Sequence, residues 1–70
     1  MNIDYKNPLV VQITKHFYGT TNDGRDFLIQ AIWTKNGWTI DMIVWYNNDG
    51  DKQTESEIKA EFRYEMSNCN

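Results

Sequence analysis

Residues 25–46 read RDFLIQAIWTKNGWTIDMIVWY, two apolar runs joined by Asn36-Gly37. An Asn-Gly pair between apolar runs is the strongest short-range hairpin signal a chain can carry. A hairpin also decides which side chains share a face. With Asn36-Gly37 as a two-residue turn, Lys35 faces Trp38, Trp33 faces Ile40, Ala31 faces Met42, Ile29 faces Val44 and Phe27 faces Tyr46. That face is almost wholly apolar. The opposite face pairs Thr34 with Thr39, Ile32 with Asp41, Gln30 with Ile43 and Leu28 with Trp45, and it is mixed.

A third strand precedes this ribbon. Residues 9–18, LVVQITKHFY, are rich in β-branched and aromatic types, and Pro8 marks their start. Asn22-Asp23-Gly24 then suits a three-residue loop with Gly24 in the left-handed region. That loop sets Phe17 against Ile29, Lys15 against Ala31 and Ile13 against Trp33, so Leu9, Val11, Ile13 and Phe17 join the apolar face. A two-residue turn at Asp23-Gly24 would put Tyr18, His16 and Thr14 there instead, because a slip of one residue swaps the faces.

The segment TESEIKAEFRYEM, residues 54–66, supports two readings. Strict alternation places Ile58, Ala60, Phe62, Tyr64 and Met66 on one side of a strand. A helix instead aligns Ile58, Phe62 and Met66. Its residues are good helix formers, and Thr54 with Glu57 makes a capping box. A sheet with one apolar face needs a second layer, and a helix supplies it from within the chain. The expected fold is therefore α+β, a three-stranded antiparallel meander packed against one C-terminal helix. A four-stranded all-β meander is the alternative. The expected boundaries are a loose arm at 1–7, strands at about 9–18, 26–34 and 38–46, a helix at about 55–66 and a tail at 67–70, in one domain.

A chain of 70 residues buries only about 60% of its unfolded surface, so a partner subunit would help it. Its single cysteine, Cys69, cannot form an internal disulfide, reads as a free thiol on the tail, and suits a reducing cytoplasm. No apolar run approaches the roughly 18 residues of a membrane span. The net charge of -3 is uneven: residues 1–40 balance at +1 and residues 41–70 at -4. That lacks the basic footprint of a nucleic-acid binder.

Covering one sheet face leaves the other, with Val10, Thr14, His16, Tyr18, Leu28, Gln30, Ile32, Asp41, Ile43 and Trp45. An exposed apolar patch usually marks a contact site, and Trp and Tyr often carry its binding energy. The expected site is a protein-binding or homodimer face made of His16, Tyr18, Leu28, Ile32, Ile43 and Trp45. Trp33 and Trp38 read as core, and become a second, smaller site only if the helix stops short of their end. Glu57, Glu61 and Glu65 form an acidic stripe along one helix side, suited to a basic protein partner.

No cofactor, metal or catalytic residue is expected. The only histidine, His16, stands two strands from Asp41, and the loop 47–51 (NNDGD) fails the calcium pattern because Trp45 would fall at its first ligand position. The function expected is that of a small acidic protein-binding module, an inhibitor or regulator that occludes a larger protein. The alternatives are a structural or accessory homo-oligomeric subunit and a weak single-stranded nucleic-acid binder using Tyr18 and Trp45.

Overall fold

The computed structural model describes residues 1–11 and 13–68, without the side chains of Val10, Val11 and Asn68. Expectations for Cys69 and for the faces of Val10 and Val11 lie outside that description. The elements are β1 (Asn2–Ile3), β2 (Leu9–Val11), β3 (Thr14–Thr20), β4 (Asp26–Thr34), β5 (Gly37–Trp45) and α1 (Lys52–Asn68). All pairings are antiparallel, in the order β1-β3-β4-β5, with β2 also on β3.

The three-stranded expectation is corrected. A fourth strand position exists on the free edge of β3, filled by β1 at one end and β2 at the other. Ile3 faces Gly19 and Leu9 faces His16. Between them the chain holds three residues more than an unbroken strand would, and residues 4–8 loop out. The fourth strand thus comes from the N-terminus. The C-terminal segment is helix, so the all-β alternative matches in strand count only.

The 1–7 segment is no loose arm. Ile3 is buried in the core, and Tyr5 packs against Phe17 and Phe62 with ring centroids 5.8 and 6.4 Å away. Asp4 Oδ1 accepts from the backbone N–H groups of Lys6 and Asn7, which closes the loop. The expected strand 9–18 is likewise two strands, since Val11 faces Thr14 and the chain reverses between them. Leu9 consequently lies opposite His16, away from the helix, and Ile13 is exposed.

The β3–β4 register matches the three-residue loop. Phe17 faces Ile29, Lys15 faces Ala31, and Gly24 has φ +88°. Gly19 opposes Phe27, whose ring occupies the space a Cβ at Gly19 would need.

The β4–β5 hairpin differs. Thr34 faces Gly37, so Lys35 and Asn36 form the turn and Gly37 takes the left-handed conformation at φ +98°. The Thr34 hydroxyl accepts from Asn36 N–H and donates to Gly37 O, which holds this turn. Pairing slips by two residues, which preserves the faces: Trp33 meets Trp38 and Ala31 meets Ile40. A bulge at Asp41 then adds one residue to β5. Gln30 meets Met42, Ile29 meets Ile43 and Phe27 meets Trp45. One extra residue changes the parity of everything beyond it. Ile43 and Trp45 turn inward, while Met42, Val44 and Tyr46 turn outward.

Ile3, Phe17, Phe27, Ile29, Ala31, Ile58 and Phe62 form the core between sheet and helix. Phe62 meets Phe17 edge-on at 5.5 Å. The helix stripe Ile58, Phe62 and Met66 is the expected one. Its start is earlier than expected: Asp51 caps it by accepting the Thr54 N–H at 3.0 Å.

Candidate functional site: two uncovered surfaces of one sheet

The outer sheet face carries Leu9, Tyr18, Met42, Val44 and Tyr46, which are 43–68% exposed. Leu28 and Ile32 are partly exposed among them. Tyr18 and Tyr46 touch, with ring centroids 5.7 Å apart. Leu9, His16, Tyr18, Leu28 and Tyr46 line a shallow depression of about 420 Å³ together with Asp4 and Asn7. Polar groups here are few and linked. His16 Nε2 donates to Gln30 Oε1 (3.3 Å), and Gln30 Nε2 donates to Asp41 Oδ2 (2.8 Å). The His16 Nδ1 atom is buried without a partner. An amide separates His16 from Asp41, so the two do not form a direct acid–base pair.

Of the expected site, His16, Tyr18, Leu28 and Ile32 do share this face. Ile43 and Trp45 do not: the Asp41 bulge moves them to the helix side, and Met42, Val44 and Tyr46 take their places. Trp45 is fully engaged there. Its indole N–H donates to Glu55 Oε2 at 2.7 Å, its ring lies 5.4 Å from Phe27, and the Gly50 backbone packs directly on it.

Arg25, missed by sequence reasoning, organises the neighbourhood of Trp45. Its guanidinium lies 5.3 Å over the indole and donates to Asp51 (2.7 Å), Asp49 O (2.8 Å), Asp23 (3.0 Å) and Thr54 (3.1 Å). This fastens the β3–β4 loop to the start of α1. The Thr54 hydroxyl and Arg25 hold the Asp51 carboxyl well below the usual carboxylate range. Of the NNDGD loop, Asp51 thus serves the cap and the arginine with its carboxylate, and Asp49 serves the arginine with its backbone carbonyl. Among the described residues no group of three or more His, Cys, Asp or Glu side chains could hold a metal ion.

The acidic stripe is divided in its environment. Glu57 is exposed, whereas Glu61 accepts from the Tyr5 hydroxyl at 3.2 Å. Burial, then the Glu61 carboxylate, pushes the Tyr5 phenol well above its ordinary value.

The helix leaves the β4–β5 turn end of the inner face uncovered. A groove of about 950 Å³ opens there, floored by Lys15, Trp33, Trp38 and Ile40 and walled by Lys59, Phe62, Arg63 and Met66 of α1. Trp33 is 55% exposed and meets Trp38 edge-on at 5.3 Å. The Lys15 ammonium sits 4.6 Å above the Trp38 ring. No helix among the described residues is long and apolar enough to cross a membrane. Comparison with protein-family models, curated proteins and solved structures returned no match.

Proposed function

We propose that the protein is an accessory subunit that works as a homo-oligomer, in its simplest form a dimer joined outer face to outer face. The observation that carries this is the bare apolar surface of Leu9, Tyr18, Met42, Val44 and Tyr46 on a sheet whose other side packs against α1 except at the β4–β5 turn end. Three arguments favour a second copy as the occupant. The patch side chains themselves are uncharged, and of the carboxylates beside them Asp26 is bonded to Thr20 and Asp41 to Gln30, so two copies meet through neutral side chains. A two-fold contact uses the same patch on both subunits, and a domain this small gains much from extra apolar burial. Edge-to-edge pairing through β5 is opposed by the Asp41 bulge, which disrupts the free ladder edge.

The reading as an inhibitor that occludes a larger protein has less support. It relied on Trp45, which is occupied by Arg25 and Glu55, and on an acidic stripe of which Glu61 already serves Tyr5. A reducing cytoplasm remains the compartment that suits a chain with one cysteine. Methyl NMR over a dilution series tests the proposal. Leu28, Ile32 and Val44 signals should move with concentration while Ile58 stays still. Movement of none of them, at concentrations where the protein remains folded, overturns it.

A further inference from the structure

The geometry points to the groove between the β4–β5 turn and the end of α1 as a binding site for single-stranded nucleic acid, a base stacking on Trp33 and the phosphates meeting Lys15, Lys59 and Arg63. The site lies on the helix side of the sheet and is independent of the outer face. Charge complementarity carries the choice of occupant. The chain is acidic overall, but the groove is lined by three cationic side chains and no carboxylate. Among the described residues Arg25 alone forms ion pairs, so these three have no acidic partner. Lys59 and Arg63 stand one turn apart on α1, and Lys15 rises from β3 across the groove. The end of α1 opposes them with roughly half a negative charge, which three cations outweigh.

Aromatic chemistry selects bases over an acidic peptide. A peptide would use the cations and leave the exposed Trp33 ring bare. A base has a π-face for that ring, and stacking on aromatic side chains tolerates any sequence. The groove's 950 Å³ is at the upper end of the range for small-ligand sites, roughly 300–1,000 Å³. It has room for more than one nucleotide, which favours a strand over a free mononucleotide.

Quenching of tryptophan fluorescence by an oligothymidylate of roughly eight nucleotides at low salt tests the inference. Thymidine monophosphate, polyglutamate and heparin are run beside it. Trp33→Ala should weaken oligonucleotide binding by about 5- to 150-fold. The double variant Lys59→Gln/Arg63→Gln, on the exposed helix surface, should weaken it and flatten its salt dependence. With three phosphates engaged, raising salt fourfold should cost the wild-type protein about 15- to 20-fold in affinity. Tyr64→Ala, an exposed aromatic outside the groove lining and the outer face, should bind as wild type does. Absence of quenching by the oligonucleotide overturns the proposal. So does equal binding of polyglutamate, heparin or the mononucleotide, or full affinity in a folded Lys59→Gln/Arg63→Gln protein.

Discussion

Phe62 joins the three parts of this fold, so its truncation reads the architecture directly. It is 2% exposed and contacts Phe17 of β3 and Tyr5 of the looped N-terminal edge. A domain of 70 residues has about 3.5–10 kcal/mol of stability in all. Phe→Ala at a core site costs about 3–5 kcal/mol, so Phe62→Ala should remove from roughly a third to all of that stability. Phe62→Leu keeps most of the volume and should cost about 1–1.5 kcal/mol, lowering Tm by roughly 4–12 °C. Tyr64, two residues on, is 67% exposed, and Tyr64→Ala should stay within about 0.5 kcal/mol. Urea unfolding followed by tryptophan fluorescence measures all three. If Tyr64→Ala costs more than Phe62→Leu, the helix presents a different side to the sheet and the reasoning fails.

Two further predictions concern pH. The folded-state pKa of Asp51 is depressed, so its contribution to stability is complete above the unfolded carboxylate value of about 3.9 and is lost as pH falls below it. Asp51→Asn keeps a capping side chain, and its melting temperature should fall less steeply on acidification than that of wild type; parallel curves would contradict this. The Tyr5 phenol is raised, so its contribution is complete below about pH 10 and is lost as pH climbs toward its folded value. Glu61→Gln should bring Tyr5 ionisation to lower pH in an ultraviolet titration, and an unmoved titration would show that the Tyr5–Glu61 contact is not formed.

The β3–β4 pairing was legible because Asn22-Asp23-Gly24 suits one loop geometry, and the apolar pattern of Phe17 and Ile29 agrees with it. The helix stripe was legible from Ile58, Phe62 and Met66, although an equally regular strand pattern competed until the need for a second layer was weighed. The β4–β5 faces were only half legible. Asn36-Gly37 is compatible with two turns, and the Thr34 hydroxyl bonds belong to the one centred on Lys35 and Asn36. The Asp41 bulge has no glycine to announce it. What favours it is tertiary: Trp45 fits between Phe27, Arg25 and Glu55 only when turned inward.

The N-terminal edge was hidden for a different reason. A strand of two residues has no period, so Ile3 and Tyr5 look like stray apolar residues in a polar arm. Arg25 gave one signal that could have been used. It follows the loop glycine directly, and Asp51 stands three residues before Thr54, where a helix cap would sit. The groove was foreseen only as a condition on where the helix ends. Its cations come from β3 and α1, elements far apart in sequence, so composition by segment concealed them.

Sedimentation equilibrium of the wild-type protein beside Val44→Lys addresses the central claim, that the outward side of the sheet is left bare for a second copy. Val44 is exposed and faces Leu28 across the strands, so the lysine should leave the fold intact while placing a charge in the contact. The wild type should sediment at twice the chain mass and the variant at a single chain mass. A wild-type protein that sediments as one chain at every concentration would contradict the claim.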